Sequence, residues 1–238
     1  MTDCKPLTTT TAVTQAVSPS DQPYENPTQY RRLVRALQYL PITRPDLSYA
    51  VNHLCQFMHA PTTDHWGLLK RVLRYVKGTL DCGLRLSASA SSAIHAFSDS
   101  DWAGCPMDRK STSGYAVFLG SNLISWLSKK QRTVARSSTE AEYKALADIS
   151  AEVTWIVSLL RELGLHSGIL PPYVFHARTK HVEIDFHFVR DKVAAGDFIV
   201  NFVSTKDQLA DIFTKPLPGP RFVALRDKLN VATHHPCA

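Results

Sequence analysis

Cysteine is scarce in this chain. Its 238 residues hold five (Cys4, Cys55, Cys82, Cys105, Cys237), an odd number, and no two form a C-x-x-C pair. That usage argues against a disulfide framework or a zinc knuckle and fits a reducing, intracellular compartment. No apolar run approaches the roughly 20 residues that span a bilayer, so no membrane-spanning helix is expected. Met1 to Pro23 is rich in Thr and Ser and has no apolar core, so no secretory signal is expected there. Walker, G-x-S-x-G and G-x-G-x-x-G strings are absent, which removes familiar nucleotide and serine-hydrolase signatures. Acidic residues are outnumbered, 21 Asp and Glu against 27 Lys and Arg, and the net charge of +6 fits a polyanionic partner.

What remains is an ordinary globular composition, 44% apolar and 20% charged. A chain of this length buries roughly 70–75% of its unfolded surface and needs no staples. The basic surplus is uneven. Residues 1–86 hold ten basic and six acidic side chains, whereas residues 87–168 hold eight of each. Composition marks a flexible arm at 1–27 and a small-residue link, Ser87 to Ser92, which separates the helical stretch before it from a larger mixed stretch after it.

Helical spacing of Leu33, Leu37 and Leu40 predicts a first helix that Pro41 stops. Leu47, Ala50, Val51, Leu54 and Phe57 form a second stripe, and Leu68, Leu69, Val72, Leu73 and Val76 a third, capped by Thr62 or Thr63. The third helix shows Lys70, Arg71, Arg74 and Lys77 on its other side, a solvated face or a phosphate-binding one. From residue 80 the period changes. Strands are expected at Leu84 to Leu86, Ile94 to Asp99, Gly114 to Leu119, Leu123 to Val134, Tyr173 to Phe175 and Phe198 to Val203. Helices are expected at about Thr139 to Leu165, His181 to Val193 and from near Asp207. That order predicts a mixed α/β sheet flanked by helices.

The long helix carries the sharpest chemical signal. Ser137-Ser-Thr-Glu140 fits a capping box, which gives Glu140 a structural role. Glu142 falls instead on the face of Leu146, Ile149, Val153, Ile156 and Leu160. A carboxylate there is costly unless it reaches water, finds an Arg partner or coordinates a metal. Asp99 and Asp101 lie at i and i+2 on a strand, point the same way and repel, which a divalent cation relieves, although an Asp-rich turn is also common. Asp207 suits a helix N-cap, and Asp211 lies one turn on, on the same side, with a solvated helix face as the default for both. Carboxylates gathered from distant positions are the usual means of holding magnesium for phosphodiester hydrolysis. His176, His181 and His187 have no Cys partner and irregular spacing, which argues against zinc.

Several strings occur in order along the chain: Tyr30-Arg-Arg-Leu-Val, Thr43-Arg-Pro-Asp46, Ser98-Asp-Ser-Asp-Trp-Ala-Gly104, Lys110-Ser-Thr-Ser-Gly114, Ser138-Thr-Glu-Ala-Glu-Tyr143, Arg178-Thr-Lys-His181 and Gln208-Leu-Ala-Asp-Ile-Phe-Thr-Lys-Pro-Leu217. On these the chain resembles the C-terminal part of the Pol polyprotein of copia-type LTR retrotransposons. The resemblance implies that residues 28–86 follow a reverse-transcriptase palm and that 93–230 form an RNase H-like domain. It further implies cleavage of the RNA strand of an RNA–DNA hybrid with magnesium or manganese. Asp99, Glu142 and Asp211 match catalytic, metal-holding carboxylates of the family. Asp101 and Glu140 match motif positions without being expected as primary ligands. Lys110, Lys129, Lys130 and Arg132 are the expected backbone contacts to nucleic acid, with solvated loops as the alternative.

One departure stands out. The family pattern places a strand ending in Cys-Asp-Asn, then a short helix, before the Arg-Thr-Lys-His string. Here Tyr173-Val-Phe175 runs straight into His176-Ala-Arg-Thr-Lys180, so that Asp and its helix are missing, and Glu183 and Asp185 lie beyond the gap. The Tyr-x-Asp-Asp string of a reverse transcriptase is absent, and Arg35 replaces a usual Gly. Three carboxylates give about −3 where four give about −4, so metal binding is expected to weaken and hydrolysis to fall or vanish. A non-catalytic nucleic-acid-binding fragment and a functionless product of a decayed element are the rival readings.

Overall fold

The computed structural model describes residues 4–13, 22–165, 173–176 and 183–233. The Arg178-Thr-Lys-His181 string and the terminal His234, His235 and Cys237 lie outside them. The chain divides into two units, Leu86–Lys215 and Met1–Arg85 with Pro216–Ala238.

The second of these is mostly helical: α1 (Pro27–Leu37), α2 (Ser48–Cys55) and α3 (Thr63–Lys77) precede the short strand β1 (Cys82–Leu84). Asn26 caps α1 by accepting the Gln29 N–H, with Pro27 in the first turn, where a missing N–H costs nothing. The buried stripe of α1 is Tyr30, Val34 and Leu37, so Leu33 lies to one side of the expected line. Arg35 is exposed and leaves that packing undisturbed. Thr62 caps α3, whose buried residues are Leu69, Val72 and Tyr75. The other face of α3 holds the N-terminal segment: Arg71 donates to Thr9 Oγ1, Arg74 to the Lys5 carbonyl and Lys77 to the Cys4 carbonyl. Arg44 and Asp46 form a buried pair, which the Tyr75 hydroxyl joins at 2.5 Å.

The Leu86–Lys215 unit is built on a five-stranded sheet: β2 (Ile94–Asp101), β3 (Thr112–Leu119), β4 (Asn122–Lys130), β5 (Tyr173–His176) and β6 (Ile199–Phe202). Its order is β4-β3-β2-β5-β6. The first three strands form an antiparallel meander, while β5 pairs parallel to β2 and β6 parallel to β5. This is the mixed α/β sheet expected. The β3–β4 hairpin turns at Gly120, whose φ of 59° suits a residue without a Cβ. Helix α4 (Ser138–Glu162) lays Leu146, Ile149, Val153, Ile156 and Leu160 against Ile94, Ala96, Val117 and Val174 of the sheet. Helix α5 (Glu183–Ala194) adds Val189 to that core. The helix expected from Asp207 starts later, as α6 (Asp211–Thr214), because Asp207 lies in a turn and accepts from Ser204 Oγ. Helix α7 (Gly219–Lys228) and strand β7 (Val231–Thr233), paired antiparallel with β1, belong with the helical unit.

Candidate active site

Strand β2 carries Asp99 to the end of the sheet, where its neighbour across the β3 ladder is Gly114. The segment 208–215 fastens itself over this point. Gln208 Nε2 donates to the Ser98 carbonyl at 2.9 Å, and Ser128 Oγ donates to the Phe213 carbonyl at 2.6 Å. The Thr214 hydroxyl donates to Asp99 Oδ2. Asp211 opens α6 and is 2% exposed; Asp99 is 7% exposed. Lys215 joins them, its Nζ lying 2.7 Å from Asp211 Oδ1 and 3.3 Å from Asp99 Oδ2.

Glu142, in the second turn of α4, completes the group. Burial pushes its carboxyl up to about 8, and the charges of Asp99 and Asp211 push the same way, while Lys215 and the Ser100 backbone N–H oppose them. Burial also raises Asp99; Lys215 and Thr214 lower it, and Asp211 raises it further. Asp101 is raised by burial and by Asp99, as two like charges on one side of a strand require. Burial disfavours the Lys215 ammonium, yet Asp99 and Asp211 more than offset it and hold the amine above its ordinary range. The fold therefore brings 99, 142 and 211 within electrostatic reach of one another.

Gln131 braces this corner from behind. Its Nε2 donates to Ser113 Oγ at 2.8 Å and to the Ala141 carbonyl at 2.9 Å, tying β3 to the residue before Glu142. Glu140 faces elsewhere. It pairs with Lys144 at 2.7 Å and accepts the Arg136 N–H, and the Lys144 bond holds its carboxyl below the usual range. The Ser137 side chain accepts the Glu140 N–H, so half of the expected capping box forms, with the carboxylate reaching one residue further back.

The expected nucleic-acid contacts divide. Lys130 Nζ lies 2.9 Å from Asp108 and 3.1 Å from Cys105 Sγ, and Lys110 lies 3.8 Å from the same aspartate. Lys129 and Arg132 are exposed. With Lys130, Lys144, Asp148 and Asp185 they line a cleft of about 300 Å³. Burial raises the Asp185 carboxyl above its ordinary range, with Lys144 lowering it and Glu140 raising it.

Two neighbours of the carboxylates, Thr214 and Lys215, escaped the sequence reading. Spacing held one clue: Lys215 follows Asp211 by four positions, one helical turn. Gly114 and Gln131 carried no such signal, because their contacts cross the sheet.

The Pol polyprotein from transposon RE2 of Arabidopsis thaliana, named as retrovirus-related, is 48% identical over 246 residues, which is 97% of this chain and 17% of that protein. Its counterpart from transposon RE1 of the same plant matches with the same identity and coverage. The chain belongs to the copia-type retrovirus-related Pol polyproteins. It spans about a sixth of the length of these Pol relatives. The alignment is longer than the chain itself, so these Pol relatives hold residues that the chain lacks. No protein-family model matches. The N-terminal RNase H domain of a Mycobacterium tuberculosis protein, 14% identical, superposes with a TM-score of 0.37, covering 58% of this chain and 98% of that one; an overlap this loose bears on neither fold nor function.

Strand β5, parallel to β2 and adjacent to it, reads Tyr-Val-Phe-His and carries no carboxylate. Among the described residues no three Asp, Glu, His or Cys side chains form a grouping ready to hold a metal ion. The donor chemistry still suits a hard divalent cation. Asp99, Glu142 and Asp211 offer only oxygen, and their mutual repulsion is relieved by positive charge.

Proposed function

We propose that the Leu86–Lys215 unit carries the bulk of an RNase H-like domain, read from the sequence as residues 93–230, that acts on the RNA strand of RNA–DNA hybrids, with hydrolysis weakened or lost in this chain. Residues 28–86 are read as the region that follows a reverse-transcriptase palm. The observation that carries the proposal is the convergence of Asp99, Glu142 and Asp211 from a strand, a long helix and a late helix. In this reading the three would hold magnesium or manganese. When bound, such an ion stabilises charge on a phosphoryl oxygen and activates water.

The chain's own groups do the rest. Thr214 orients the Asp99 carboxylate through its hydroxyl. Gln131 and the Ser100 N–H set the start of α4, and with it Glu142. The β5 strand supplies no further acid, so one share of negative charge is missing. Loss of that support costs several kcal/mol of transition-state stabilisation, about 10³-fold in rate or more.

The test is a labelled RNA–DNA hybrid incubated with the full chain and magnesium or manganese. Slow cleavage that Asp99→Asn abolishes is the expected result. Fast turnover that survives Asp99→Asn overturns the assignment, and fast turnover that it abolishes overturns the claim of weakened activity.

A second reading, retention of nucleic acid without cutting, is favoured by the cleft bearing Lys129, Lys130, Arg132 and Lys144. Affinity for the hybrid that falls steeply with salt supports it, and a flat response removes it.

A further inference from the structure

We infer that Lys215 is an internal counter-ion: its ammonium occupies the Asp99–Asp211 pair in the metal-free chain and has to leave before a divalent cation can enter. This rests on the proposed reading of the carboxylates as metal-holding.

Three observations carry it. First, one ammonium serves two buried acids, at 2.7 Å and 3.3 Å, and its charge also reaches Asp101 and Glu142. The Glu140–Lys144 pair has the same four-residue spacing but joins one lysine to one partly exposed acid. Second, the backbone at Lys215 is fixed. Its N–H bonds the Asp211 carbonyl at the end of α6, and the residue then adopts an extended conformation, so only the side chain is free to move. Third, that side chain has a way out, being 35% exposed while the side-chain atoms of Asp211 and Asp99 alone are 3% and 10% exposed. A four-carbon stem lets the charged end swing into water while its root stays in place.

The physical argument is one of exclusion. Three carboxylates attract a single positive centre strongly where water is sparse, but an ammonium and a divalent cation about 4 Å apart repel each other by the same law. The smaller charge, on the flexible stem, yields. Lys215 would thus keep the acids together until metal arrives, and would set a threshold for metal binding.

Manganese alone is titrated into the full chain and its Lys215→Met variant by calorimetry, with melting followed in parallel. The variant should bind manganese about tenfold or more tightly. It should melt below the parent without metal and gain more from manganese than the parent does. Equal or weaker affinity in the variant overturns the inference. Should the variant fail to fold, the parent chain decides. Acylation of the Lys215 amine, read by mass spectrometry, should quicken when manganese saturates the protein, and unchanged reactivity overturns the inference. Asp99→Asn separates the two levels. If it abolishes manganese binding while Lys215→Met changes nothing, only the counter-ion role falls. If parent and Lys215→Met bind no manganese, or Asp99→Asn leaves binding intact, the metal reading falls and takes this inference with it.

Discussion

Asp99 on β2 stands directly across the ladder from Gly114 on β3, and the glycine's missing Cβ admits Thr214 to the carboxylate. A Cβ at 114 would lie 2.6 Å from Phe213 Cβ and 2.8 Å from Thr214 Cγ2. The close approach of residues 213–214 therefore depends on one absent methyl group on the neighbouring strand.

Gly114→Ala should accordingly push α6 off the sheet and loosen the Thr214–Asp99 bond. Overpacking of this kind costs about 1–3 kcal/mol. The urea midpoint of the variant should fall, with the slope of the transition unchanged. A midpoint equal to the parent's would show that the segment does not need the gap.

Gln131 is 8% exposed and links β3 to the first turn of α4. Gln131→Leu keeps the volume but removes the donor to Ser113 and to the Ala141 carbonyl. Leaving buried acceptors unserved costs about 1–3 kcal/mol. Denaturant unfolding measures this; a neutral result would mean that water replaces the amide.

In the helical unit, Arg44 grips Asp46 with two hydrogen bonds of 2.9 Å and 2.8 Å, and both side chains are buried. Asp46→Ala strands the guanidinium and should cost about 3–5 kcal/mol. Replacing both, as Arg44→Met with Asp46→Leu, should recover most of that loss. A double variant as unstable as the single one would show that the donor bonds of Arg44 to Thr79, not the ion pair, dominate.

His65 gives the helical unit a pH dependence of known sign. Its Nδ1 accepts the Thr62 N–H at 3.0 Å in the cap of α3, and burial lowers its pKa below the ordinary 6.5. The folded state thus binds fewer protons than the unfolded one just below pH 6.5, so this share of stability is complete above 6.5 and lost as pH falls through the folded value. Protonation also removes the acceptor. Melting temperature measured from pH 7.5 down to 5 should decline less in His65→Gln, which keeps a capping acceptor without titrating. Identical slopes would exclude His65 as the source.

Strands β2, β3 and β4 were legible because alternation and turn residues act locally. The buried face of α4 followed from spacing alone, and Glu142 stood out there as a carboxylate among Leu146, Ile149 and Val153. The buried stripe of the first helix departs from leucine spacing, since Tyr30 and Val34 bury where Leu33 does not. A phenol can turn its ring inward if its hydroxyl finds the Leu54 carbonyl, and that carbonyl lies 24 positions away. The late helix starts beyond Asp207 for a related reason: Ser204 takes Asp207 into a turn before it can cap.

Local chemistry in the chain determined the mixed sheet, the long helix and the costly place of Glu142, because hydrophobic period is a property of neighbours in sequence, while Asp99 and Asp211 were marked by the resemblance of their strings. The tertiary structure alone decided what meets them. Thr214 reaches Asp99 across 115 positions, and Lys215 spans two acids that only the packing of α6 onto β2 and β3 brings together. A lysine's stem allows its charge many resting places, and the one it takes is chosen by the field of carboxylates assembled around it.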